Sequence, residues 1–104
     1  MEATVSNNMT VPYDKIADFC TRWQVREFAL FGSVLRDDFR PDSDVDVLIT
    51  FASDAPYSLF DLRRMENELR AIFGRNIDLV EKAALVNPFR RQEILKTSRV
   101  IYAA

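Results

Sequence analysis

Leu30-Phe31-Gly32-Ser33, ten further residues, and then Asp44-Val45-Asp46-Val47-Leu48-Ile49-Thr50-Phe51 is the stretch that decides how this chain is read. The apolar run from Val25 to Phe31 stops at Gly-Ser, and a second apolar run opens with two aspartates separated by one valine. Both runs predict strands, Val25 to Phe31 and Asp44 to Phe51. Side chains alternate faces along a strand, so Asp44 and Asp46 point to one side, roughly 6.5–7 Å apart. Two like charges at that separation repel by roughly 2–3 kcal/mol at an effective dielectric near 20. A positive partner between them is expected, and a divalent cation is the simplest one.

A third carboxylate lies in a third apolar run, Asn76-Ile77-Asp78-Leu79-Val80. If that strand lies in register beside the second, Asp78 faces the same way as Asp44 and Asp46. Glycine at position 32 allows close backbone approach to a ligand, and a helix start at Ser33 to Arg36 would present free N–H groups to a phosphate. Carboxylate oxygens are hard ligands that suit Mg²⁺. Two such ions can bridge the attacking and leaving oxygens of a phosphoryl transfer. On this reading Asp44 and Asp46 bridge both ions, and Asp78 holds one and takes the proton of the attacking hydroxyl. Each feature alone has a plainer reading: a turn, a solvated strand edge, an exposed strand residue. Asp42, Asp44 and Asp46 also imitate a calcium loop, but Val47 stands where that loop needs Gly and Ser53 where it needs Glu.

Composition narrows the chemistry. The chain has 104 residues, 48% of them apolar and twelve aromatic, enough for one modest core. A net charge of −2 does not suit a general nucleic-acid binder, so no direct nucleic-acid binding is expected. There is no histidine, which excludes Ser-His-Asp and Cys-His catalysis, and the one cysteine, Cys20, has no partner for an internal disulfide. No run has the length of a membrane span, and Met1-Glu2-Ala3-Thr4 does not open a signal peptide. A cytoplasmic protein is expected.

Residues 1–9 are expected to be a disordered lead-in, and 10–104 one domain. Thr10 as N-cap and Pro12 in the first turn predict a helix over 11–23, with Ile16, Phe19, Cys20 and Trp23 on its apolar face. Arg36 to Ser43 and Ala52 to Tyr57 are expected to be loops, with Pro41 and Pro56 as breakers. Ser58 to Asp61 has capping-box spacing, and Leu59, Leu62, Met65, Leu69, Ile72 and Phe73 form a stripe that Gly74 ends, which predicts a helix over 59–73. Lys82 to Val86 is a connector, and Asn87-Pro88 predicts the start of a last helix. Val100 to Tyr102 is a short strand or an extended tail. Arg90, Arg91, Lys96 and Arg99 cluster in the last helix and its exit, as a solvated face or as a contact for an acidic partner or a phosphate. The expected fold class is α/β (α+β), a small mixed sheet of three to four strands with flanking helices.

Gly32-Ser33, the ten-residue gap, Asp44-Val45-Asp46 and the later Asp78 resemble the signature of the DNA polymerase β-like nucleotidyltransferase superfamily. The chain is more narrowly similar to minimal nucleotidyltransferase (MNT) antitoxins of the MntA type, which pair with HEPN-domain ribonuclease toxins. The Pro41-Asp42-Ser43-Asp44 approach belongs to the likeness. The resemblance implies a polymerase β-like fold, ATP as substrate, Mg²⁺ as cofactor, and transfer of AMP to a tyrosine of the toxin. It implies triphosphate binding at Gly32 and Ser33, and metal binding at Asp44, Asp46 and Asp78. Size adds a separate expectation: with the metal site on one sheet face, the acceptor surface should come from another polypeptide, so a hetero-oligomer with the toxin or a homo-oligomer follows. Two other readings stay open, an antitoxin that acts by binding alone and a transferase for a small hydroxylated compound such as an antibiotic.

Overall fold

Period-two alternation in the strands and 3.6-residue stripes in the helices decide where each element packs. The structure, a computed structural model, describes residues 2–6, 9–35, 44–52 and 57–104. In chain order it forms β1 (Glu2–Ser6), β2 (Met9–Pro12), α1 (Tyr13–Arg22), β3 (Val25–Phe31), a 3-10 turn (Gly32–Leu35), β4 (Val45–Phe51), α2 (Leu59–Phe73), β5 (Ile77–Glu81), a second 3-10 turn (Lys82–Ala84), α3 (Pro88–Thr97) and β6 (Arg99–Ala103). β3 to β6 make one mixed sheet in the order β5-β4-β3-β6. β4 and β5 are parallel and joined through α2, whereas β3 runs antiparallel to both β4 and β6.

The two sheet faces carry different cores. On one, Phe28, Leu30, Val45, Val47 and Ile49 meet Ile16, Phe19 and Cys20 of α1 and Met65 and Leu69 of α2. Phe19 meets Phe28 edge-on at 6.1 Å, and Phe73 stacks on Phe28 at 6.5 Å. On the other face, Ala29, Phe31 and Leu48 form a smaller cluster with Leu85 and with Ile94 of α3. Outside the sheet, Arg22 ties α1 to α2 through its two terminal guanidinium nitrogens, Nη1 and Nη2, which donate to Glu68 at 2.7 and 3.1 Å, and Trp23 Nε1 donates to the same carboxylate at 3.2 Å.

Local signals in the sequence explain several element ends. Ser58 Oγ accepts from the Asp61 N–H while Asp61 reaches back to the Ser58 N–H, so the capping box forms with aspartate at its third position. Gly74 ends α2 in the left-handed conformation, at φ 69°. Asn87 Oδ1 caps α3 by accepting from Phe89 and Arg90, with Pro88 in the first turn. Val100 to Tyr102, the strand-or-tail segment, lies within β6.

The N-terminal end differs from expectation. Glu2–Ser6 is not a disordered lead-in but a strand paired antiparallel with Met9–Pro12. Thr10 is therefore in a strand rather than an N-cap, and α1 starts at Tyr13. The physical reason is Pro12: its ring pushes the preceding residue toward extended backbone, so Val11 enters the core as a strand residue, fully buried. The expected loop over 36–43 and most of the one over 52–57 lie outside the described residues.

Candidate active site

β3 ends where β4 and β5 begin, and the predicted carboxylates collect at that end of the sheet. Asp46 is the direct neighbour of Asp78 in the parallel β4–β5 ladder and lies across from Phe31 in the antiparallel β3–β4 ladder. Adjacent strands run about 4.8 Å apart, so the two carboxylates rise side by side. Asp44 sits two positions before Asp46, just ahead of β4, and alternation directs it to the same face. That face is the one covered by α3, since Leu48 and Val80, two positions further along each strand, pack in the α3 cluster. Asp44 and Asp78 are exposed and Asp46 is half-buried.

Gly32 follows Phe31 directly and stands against Asp46. Its φ is 75°, in the left-handed region that favours glycine. A Cβ built on it would collide with Asp46 Oδ2 and lie 3.2 Å from Asp46 Cγ. Glycine is thus required here twice, by backbone conformation and by the carboxylate behind it. The sequence pointed to close approach of a ligand to the backbone at Gly32; the positive φ and the Asp46 contact emerge only in three dimensions. Ser33 lies within the 3-10 turn Gly32–Leu35, so the short helix start expected at Ser33 to Arg36 is a 3-10 turn that begins one residue earlier.

Known proteins share the sequence pattern and the fold that carry these residues. Residues 14–101 match the nucleotidyltransferase domain family. The chain belongs to this nucleotidyltransferase family. Protein adenylyltransferase MntA of Thermococcus cleftensis is 42% identical over 64 residues, 62% of this chain and 63% of that protein. A crystal structure of a toxin-antitoxin with AMP-PNP superposes with a TM-score of 0.73 at 17% identity, over 90% of this chain and 75% of that one. A complex of tri-AMPylated Shewanella oneidensis HEPN toxin with MNT antitoxin gives 0.63 at 16% identity, over 88% of this chain and 70% of that one. These two similarities concern the fold, which is the one the sequence resemblance implied.

Within this nucleotidyltransferase the other candidate groups have plain structural roles. Burial pushes the Cys20 thiol up to about 12, so it is a core residue and not a nucleophile. Arg91 donates to the Lys82 carbonyl at 3.3 Å, while Arg90 and Lys96 are exposed. No helix among the described residues is long and apolar enough to cross a membrane.

The donor set fits a hard divalent cation. The three carboxylates at this end offer oxygen alone, the chain has no histidine, and its one thiol is buried elsewhere. Among the described residues no three His, Cys, Asp or Glu side chains already stand as a gathered metal cage. Mutual repulsion gives a physical reason for such carboxylates to stand apart until a cation draws them in.

One feature of the site was not foreseen. A cleft of about 470 Å³ opens beside Gly32, lined by Phe31, Leu35, Glu93, Ile94 and Thr97. Its far wall is α3, brought there by Ile94 packing on the sheet. Glu93 and Thr97 carry no local motif, so nothing in the sequence marks them.

Proposed function

We propose that this nucleotidyltransferase moves the adenylyl group of ATP onto a tyrosine of a HEPN-family ribonuclease toxin and acts as the antitoxin of that pair. The observation that carries the reading is the register of Asp46 beside Asp78, with Gly32 pressed against Asp46. The named relative, a protein adenylyltransferase, and the fold shared with toxin-antitoxin complexes support it.

Asp44, Asp46 and Asp78 are the residues that would hold Mg²⁺, two ions in the two-metal scheme. The bound ions would neutralise charge on the phosphates and orient the attacking and leaving oxygens. The chain's own residues supply the rest. Gly32, lacking a side chain, lets the triphosphate approach the turn that begins there, and Ser33 adds the next backbone N–H. Asp78, exposed on the outer strand, takes the proton from the tyrosine hydroxyl. The tyrosine oxygen forms a bond to the α-phosphorus, the α–β phosphoanhydride bond breaks, and pyrophosphate leaves with its electron pair.

The test is mass spectrometry of the toxin after co-expression or incubation with this chain, ATP and Mg²⁺. Added AMP mass on a tyrosine is expected. An unmodified toxin that is nevertheless neutralised would replace this reading with antitoxin action by binding alone.

A further inference from the structure

The cleft beside Gly32 lies next to the carboxylates, and its volume of about 470 Å³ is in the range of small-molecule sites, roughly 300–1,000 Å³. Its walls mix apolar side chains, Phe31, Leu35 and Ile94, with two polar ones, Glu93 and Thr97. The Thr97 hydroxyl donates to the Glu93 carbonyl at 2.9 Å, which leaves its oxygen able to accept. Among the described residues no hydrogen bond or ion pair engages the Glu93 carboxylate.

Charge decides what the cleft can take. An ionised glutamate repels a triphosphate, so the phosphates are disfavoured there and belong on the Gly32 and aspartate side. An uncharged group with a flat apolar surface and hydrogen-bond donors suits the walls, because a carboxylate only accepts. Resting on the nucleotidyltransferase reading above, we propose that this cleft holds the nucleoside half of the nucleotide. Leu35 and Ile94 flank the nucleoside, and Glu93 accepts from its donors, the 6-amino group of the base or a ribose hydroxyl. Glu93 is then a specificity residue of the same reaction, one turn of α3 away from Thr97.

The experiment measures affinity by calorimetry, with Mg²⁺ present, for ATP and for inorganic tripolyphosphate, the phosphate half alone. Variants are Glu93→Gln and Thr97→Phe, both at exposed positions, the second filling the cleft; a melting curve checks that each folds. Wild type is expected to bind ATP more tightly than tripolyphosphate. Each variant should lose about tenfold in ATP affinity, the worth of one charge-assisted hydrogen bond, with tripolyphosphate unchanged. Purine riboside triphosphate, which lacks the 6-amino group, and 3′-deoxyATP then identify the donor: the analogue whose disadvantage vanishes in Glu93→Gln marks the group that Glu93 holds. ATP binding unchanged in both variants, or an equal loss for ATP and tripolyphosphate, overturns the assignment. Wild type that binds neither probe removes the nucleotidyltransferase reading itself, which is a different result.

Discussion

The two faces of the sheet come from the same strands and do opposite things. The face toward α1 and α2 is apolar to the strand ends: Val45, Val47 and Ile49 of β4 are each fully buried. The face toward α3 is apolar only in its middle, at Ala29 and Leu48, and turns acidic where β4 and β5 begin. In β4 a shift of one residue therefore separates core from chemistry. The lesson is one of division: the first face supplies the stability, and the second brings three carboxylates to one end of the sheet, where their like charges oppose closer approach.

Substitutions that keep shape but remove charge should break the second face alone. Asp44→Asn with Asp46→Asn is expected to lower AMP transfer by ~10³-fold or more, with the melting temperature unchanged or slightly raised as repulsion is relieved. Transfer assays beside thermal denaturation of the same sample check both halves, and a large loss of stability would mean that the faces are not separable.

Cavities should break the first face more than the second. Phe28→Ala removes a ring that packs against Phe19 and Phe73, and should cost about 3–5 kcal/mol. Ile94→Ala, in the smaller α3 cluster and 7% exposed, should cost about 2–3 kcal/mol. Urea unfolding gives both numbers. Equal costs would show that α3 is as much a part of the core as α1 and α2.

Gly32→Ala sharpens the boundary between the faces. The added methyl meets Asp46 at a positive φ, so the carboxylate must shift, and transfer should fall by about 10²-fold while far-UV circular dichroism is retained.

The smallest effect is one of pH. Unfolding exposes the Cys20 thiol, which then ionises near its ordinary 9.0, whereas the folded thiol holds its proton to about 12. Below pH 9 this contribution to stability is whole; above it, stability should fall by about 1 kcal/mol per pH unit until the folded thiol ionises. Urea midpoints on the two sides of pH 9.0, with Cys20→Ala as the variant whose fall is shallower, read that slope.

Legibility in the sequence follows whether a signal is local. α2 was readable at both ends because Ser58, Asp61 and Gly74 each act within a few residues of the boundary they set. The facing of Asp46 and Asp78 was readable from alternation, given the assumption that their strands are neighbours. The N-terminal hairpin was not, because the alternation in Glu2-Ala3-Thr4-Val5-Ser6 is short and carries only Ala3 and Val5 as apolar residues, and Pro12 suits the first turn of a helix as well as the end of a strand. The Asp46 contact that requires glycine at 32, and the α3 wall of the cleft, depend on tertiary packing and leave no trace in spacing.

The crossover through α2 has a practical meaning for folding. Asp46 and Asp78 become neighbours only when the helix between them has docked and set β5 against β4. A partly folded chain thus has no fractional catalysis to offer, and turnover counts completely assembled molecules. Loss of transfer activity would follow the unfolding of this domain as a switch, not as a gradual decline.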